Sequence, residues 1–163
     1  MDKNERQGIM EEKPHLLIVE ARFYEDLVDE LTAGAVAELE SAGCSYMKVS
    51  VPGVFEIPAA IRMAIRSLDF YSGRRRFDGY VALGAVIRGE TTHYDYVCSE
   101  SARKLQDLAC EYALALGYGI LTCETVEQAW ERAGRDKKNK GGDAARACLQ
   151  MIDLKRQFHL YPR

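Results

Sequence analysis

Apolar residues recur along this chain in two alternating rhythms, short unbroken runs and longer stretches at helical spacing. Residues 15–20, HLLIVE, form one such run and predict a buried strand. From 24 to 42, Leu27, Val28, Leu31, Ala35 and Leu39 recur at helical spacing, and Gly43 follows as a C-terminal stop. Residues 46–51 alternate enough for a second strand. Pro52 and Gly53 break it before a second helix over 55–68, where Pro58 lies early enough for its missing amide to cost little. A third strand is expected over 81–87 and a long helix over 91–116. A fourth strand at 118–123, YGILTC, leads to a short helix around 125–134. After a lysine-bearing loop at 135–142, a last amphipathic helix places Ala145, Cys148, Leu149 and Ile152 on one face.

Strands alternating with helices, each crossover long enough for a right-handed connection, predict an α/β fold. The expected architecture is a single-domain three-layer α/β/α sandwich, doubly wound and flavodoxin-like, with a four-stranded parallel sheet. Such sheets bind ligands beyond the C-terminal ends of their strands. Those ends are residues 21–23, 52–56, 87–93 and 123–124, and all the unusual turns of the chain fall there.

The length of 163 residues suits one domain. The first 13 residues are polar and expected to be disordered, leaving a domain over 14–163. With 22 basic and 25 acidic residues the formal net charge is −3, so nucleic acid is not an expected partner. The N-terminal stretch has no apolar run long enough for a signal peptide or membrane span. Cys44, Cys98, Cys110, Cys123 and Cys148 form no CxxC pair and lie in apolar periodic segments, as buried free thiols do. A cytoplasmic location is expected. The arginines of the loop at 69–79 read as a solvated turn.

Candidate chemistry concentrates in VALGAVIRGETTHYDYV, residues 81–97. Gly84 and Gly89 give the backbone freedom to turn, and Thr91 or Thr92 then caps a helix. That places His93 in its first turn. A helix start carries unpaired amide donors and partial positive charge, so it can hold a phosphate, and an imidazole beside it can move protons. The same pattern also describes an ordinary capped helix. His15 and His159 have no such setting and read as surface residues. From the residues alone the reading stops at a doubly wound enzyme acting on a phosphorylated sugar-like substrate.

Six segments in order carry a more specific likeness: ARFY at 21–24, VPGVFEIP at 51–58, ALGAVIRGETTHYDYV at 82–97, GILT at 119–122, EQAWERAG at 127–134 and NKGGDAA at 139–145. In these the chain resembles the lumazine synthase family. The resemblance implies condensation of 5-amino-6-(ribitylamino)uracil with 3,4-dihydroxy-2-butanone 4-phosphate. The products are 6,7-dimethyl-8-ribityllumazine, phosphate and water, the penultimate step of riboflavin biosynthesis, with no metal or organic cofactor. By matching positions Phe23 would stack on the pyrimidine. Val54, Phe55 and Glu56 would meet the ribityl chain, although Glu56 also suits an ordinary helix N-terminus. Ala85, Val86 and Ile87 would offer main-chain groups to the pyrimidine edge.

Glu90 and Thr91 match the phosphate turn, His93 the proton-transfer residue, Arg132 a phosphate-binding arginine from the adjacent subunit, and Lys140 a lysine near it. Arg132 and Lys140 otherwise read as solvated surface cations. The resemblance further implies a homopentamer with sites between subunits, where Tyr118 and Arg132 of one chain meet Phe23, Glu56 and His93 of the next. Some relatives assemble twelve such rings, and the product links the enzyme to riboflavin synthase. Two positions depart from the family pattern: Glu90 replaces a small residue, and Tyr118 replaces a phenylalanine.

Overall fold

The computed structural model describes residues 13–70, 73 and 76–160. In chain order the elements are β1 (His15–Ala21), α1 (Glu25–Ser41), β2 (Ser45–Val51), a one-turn 3-10 helix (Val54–Glu56), α2 (Ile57–Ser67) and β3 (Gly79–Ile87). They continue as α3 (His93–Tyr112), β4 (Leu116–Cys123), α4 (Val126–Ala133) and α5 (Lys140–Gln157). The four strands pair in parallel in the order β2-β1-β3-β4. Because the chain steps one way from β1 to β2 and the other way from β2 through β3 to β4, right-handed crossovers put helices on both faces. The result is the flavodoxin-like three-layer sandwich.

Side-chain alternation along the inner strands feeds two cores. Leu16, Ile18, Val81, Leu83 and Leu121 pack with α1, α4 and α5, whereas Leu17, Val19, Tyr80, Ala82 and Ile120 pack with α2 and α3. Burial on both faces is why these strands read as continuous apolar runs. Glu20 interrupts that run yet is only 2% exposed. Its carboxylate accepts hydrogen bonds from Thr32 Oγ1 at 2.7 Å and Ser50 Oγ at 2.9 Å, with Arg22 and Lys48 at 3.4 and 3.7 Å. A buried carboxylate is tolerable when supplied with partners in this way.

Several boundaries differ from expectation. The long helix ends at Tyr112 rather than 116, since Ala113 turns left-handed (φ 52°) and its N–H bonds to Ala109 O. Leu116 and Gly117 instead pair with Tyr80 and Val81, so β4 starts two residues early. Apolar residues alone do not separate a buried helix end from a buried strand start. Residues 140–142 belong to α5, not to a loop. Asn139 caps that helix through its side chain, accepting from Gly142 N at 3.2 Å. Gly141 is required by close approach, because a Cβ there would collide with the Leu31 carbonyl of α1.

The cysteines are all free, but only Cys44, Cys123 and Cys148 are buried; Cys98 is half-buried and Cys110 exposed on the outer side of α3. His15 is not a loose surface residue. It is half-buried, stacked on Phe77 at 5.4 Å, with Nδ1 2.8 Å from Ser45 Oγ. His159 is exposed. Arg76 is exposed, while the expectations for residues 1–12 and for Arg74 and Arg75 fall outside the described residues.

Candidate active site

A cleft of about 440 Å3 opens at the C-terminal ends of β1, β2 and β3. It lies where the strand order reverses between β1 and β3, the place at which doubly wound sheets bind ligands. Phe23 and Tyr24 line it from the turn after β1, Pro52 to Glu56 from the turn after β2, and Ala85, Val86 and Ile87 from the end of β3. Gly89, Thr91, His93, Tyr94 and Val97 close it from the β3–α3 turn and the first turns of α3. Nine sequence-derived candidates thus share one cavity: Phe23, Val54, Phe55, Glu56, Ala85, Val86, Ile87, Thr91 and His93.

Phe23 and Phe55 leave 72% and 60% of their surface exposed, a large apolar area for a monomer to show to water. The Phe23 ring is held edge-on by Tyr24, centroids 5.0 Å apart, which leaves its face free for a flat heterocycle. Val54 is buried because it sits over Gly84: a Cβ at Gly84 would come within 2.7 Å of Val54 Cγ2 and 3.2 Å of Ala21 Cβ. Gly84 therefore serves close approach within β3, and neither it nor Gly89 has the positive φ expected for a turning glycine. The Glu56 carboxylate folds back over Gly53, whose Cβ would lie 3.1 Å from Oε2. It is exposed, at the edge where polyol hydroxyls would find an acceptor.

Helix α3 opens at His93. Thr92 provides no side-chain cap, but Thr91 Oγ1 accepts the His93 N–H at 3.3 Å, and Asp95 N bonds to Thr92 O at 3.0 Å. Tyr96 N also bonds to Thr92 O, at 3.4 Å, so among the described residues the Tyr94 N–H is the first-turn amide left without an acceptor, the kind of donor a helix start can offer an anion. The His93 side chain is exposed and makes no hydrogen bond to another described residue, so the imidazole is free to meet a substrate.

Among the described residues no lysine or arginine lines the cleft. Arg88 stands at its edge but is engaged elsewhere. Its Nε donates to Glu124 Oε2 at 2.8 Å, Nη2 donates to Asp95 Oδ1 at 3.4 Å, and Cζ lies 4.3 Å from the centre of the Tyr94 ring. Its hydrogen bond to Glu124, chiefly, raises its pKa above the ordinary arginine value. Sequence reading passed over Arg88 and Tyr94. Arg88's partner Glu124 lies 36 positions away on another strand end, so no local pattern announces the contact.

Four candidates do not line this cleft. Glu90 is exposed in the turn, between Gly89 and Thr91, which do line it. Tyr118 lies opposite Ala82, near the start of β4, and borders a separate apolar groove with Ala102, Leu105, Ala109 and Leu116. Burial pushes the Tyr118 phenol up. Arg132 is half-buried on α4, its Nη1 donating to Gln128 O at 3.1 Å, and it has no carboxylate partner among the described residues. Lys140 pairs with Asp143 at 3.2 Å in the first turn of α5. Among the described residues no group of three His, Cys, Asp or Glu side chains is placed to hold a metal ion.

Fold and cleft together define a doubly wound α/β protein with a cleft at its topological switch point. The family model described as 6,7-dimethyl-8-ribityllumazine synthase matches residues 13–156, and the chain belongs to that family. A 6,7-dimethyl-8-ribityllumazine synthase of Agrobacterium fabrum is 57% identical over 146 residues, 90% of this chain and 97% of the relative. A 6,7-dimethyl-8-ribityllumazine synthase 1 of Rhizobium meliloti is also 57% identical, over 88% of this chain and 93% of its own. One from Bartonella tribocorum is 56% identical over 149 residues, 91% of this chain and 95% of the relative.

Proposed function

We propose that the protein condenses 5-amino-6-(ribitylamino)uracil with 3,4-dihydroxy-2-butanone 4-phosphate to give 6,7-dimethyl-8-ribityllumazine, phosphate and water. The observation that carries this reading is the single cleft, in which an exposed aromatic face, a polar edge for a polyol and a helix start beside a free imidazole converge. Phe23 stacks on the pyrimidine, Val54, Phe55 and Glu56 receive the ribityl chain, and the strand end at Ala85, Val86 and Ile87 faces the ring edge. The phosphate lies at Thr91 and the turn amides around Glu90.

The substrate amine attacks the ketone, and loss of water gives an imine. His93 removes the proton next to that imine and phosphate leaves; the resulting enol takes a proton on its terminal carbon to become a methyl ketone, and attack of the second amine on that carbonyl with loss of another water closes the ring. Holding two reactants in register supplies on the order of 7 to 11 kcal/mol, and a general base a further two to four powers of ten, roughly.

The working unit in this reading is a homopentamer, or a larger assembly of such rings. A phosphate dianion at a cleft without cations needs one from elsewhere, and Arg132 of the adjacent subunit, lacking a carboxylate of its own among the described residues, suits that task as a forked donor. Lys140 would add charge nearby, and Tyr118 would border the neighbour's ribityl site. Exposed Phe55, Met63, Tyr96 and Trp130 supply apolar surface for such contacts. The protein would act in the cytoplasm and hand its product to riboflavin synthase. No helix among the described residues is long and apolar enough to cross a membrane.

Mixing both substrates with the purified protein and following lumazine fluorescence tests the reaction. Product at a rate proportional to enzyme is expected; tight flavin binding without turnover would replace it with a ligand-storage role.

A further inference from the structure

We propose that Arg88 is a positioning residue that clamps the β3–α3 turn in its anion-holding shape, and is not itself a ligand of the anion. Its place in the chain suggests the opposite, since it directly precedes the turn at 89–91. The geometry decides otherwise. The guanidinium joins three elements: the end of β3 through its own backbone, whose N–H continues the ladder to Cys123 O at 2.9 Å; the end of β4 through Glu124 at 2.8 Å; and the first turn of α3 through Asp95 at 3.4 Å. The ring of Tyr94, which lines the cleft, lies beneath it at 4.3 Å. Glu124 is in turn held, its N–H donating to Gln128 Oε1 at 2.8 Å.

These contacts are solvent-accessible, with Arg88 39% and Glu124 58% exposed, and exposed ion pairs add little to global stability. What they do is fix direction. A planar fork with one carboxylate on each side and an aromatic ring below has one arrangement that satisfies all three, so the intervening turn is set between two anchored ends. A misplacement of about an ångström at a binding turn can cost up to a hundredfold in rate.

The proposal rests on the phosphate site assigned above, and its test separates the two. In the full-length enzyme, Arg88→Gln and Glu124→Gln are each expected to raise KM for the phosphate substrate about five- to twentyfold, with KM for the pyrimidine within about twofold and Tm within about 2 °C. The double variant should be no worse than either single one. Arg88→Lys, which keeps the charge without the fork, should rescue only partly.

A lower phosphate-substrate KM in Glu124→Gln would mean that the released guanidinium binds the anion, and would overturn the proposal. So would full rescue by lysine, or equal effects on both KM values. Independently of turnover, amide hydrogen exchange across residues 89–93 should quicken in Arg88→Gln and Glu124→Gln alike. Unchanged exchange in both would refute the clamp even if the wild-type enzyme makes lumazine, whereas quickened exchange without wild-type turnover would leave the clamp standing and remove the assigned reaction.

Discussion

At the scale of single residues, the proposed reaction gives distinct work to His93, Arg132 and two glycines. The His93 side chain has no hydrogen-bond partner among the described residues and lines the cleft, so His93→Ala is expected to lower kcat roughly a hundredfold while leaving residual turnover, because approximation of the substrates survives. Single-turnover measurement checks this, and a wild-type rate would remove the imidazole from proton transfer. Arg132→Ala should instead raise KM for the phosphate substrate far more than for the pyrimidine. Gly84 and Gly89 look alike in sequence but should fail differently. A methyl at Gly84 meets Val54 and Ala21, so Gly84→Ala should destabilise by about 1 to 3 kcal/mol. Nothing lies within 4 Å of a Cβ at Gly89, so Gly89→Ala should fold normally within about 0.5 kcal/mol and lose affinity for the phosphate substrate, whose space it enters. Urea denaturation beside steady-state kinetics separates the two outcomes. That Phe23, Val54, Ala85 and His93 lie at one edge was legible from where the strands end; the engagement of Arg88 was not, because it depends on Glu124 and on the Tyr94 ring.

Among elements, helix α5 shows how a packing interface carries a pH dependence. Cys148 is fully buried where α5 meets the sheet: a Cβ at Gly79 would lie 2.5 Å from its sulfur, and its thiol donates to Ala115 O at 3.4 Å. Burial pushes the thiol up to about 12 from 9. The folded-state pKa is raised, so this contribution is fully present below pH 9 and is lost as pH rises toward 12, while the unfolded thiol ionises first. From pH 8 to 10.5 the wild type should lose up to about 2 kcal/mol by this route. Cys148→Ala should lack that part of the slope in urea titrations. Cys44, Cys98 and Cys123 are shifted upward by burial as well, and they act equally in both proteins. Periodicity located these elements to within a few residues. It misplaced the α3–β4 junction, where apolar residues continue unbroken and only the left-handed Ala113 marks the change.

For the whole molecule, the placement of Tyr118 and Arg132 outside the cleft turns the assembly into a testable statement. If each site takes His93 from one chain and Arg132 from the next, mixing His93→Ala and Arg132→Ala chains under subunit exchange should create intact sites. A random one-to-one mixture should restore about a quarter of wild-type activity. No recovery, in mixtures shown by mass to contain both chains, would confine the site to one subunit. Light scattering should report at least five times the chain mass of 18.3 kDa.

By itself the sequence determined the order of strands and helices, the parallel doubly wound sheet and the edge at which the cleft opens, since periodicity and crossover handedness are local or nearly local rules. The six ordered segments added the family. Only the tertiary structure decided that Phe23, Val54, Ala85 and His93 share one cavity, that Gly84 makes room for Val54, and that Arg88 is spent on Glu124 and Asp95. Those relations join residues tens of positions apart, and whether a side chain is free or engaged depends on the partners that folding brings to it.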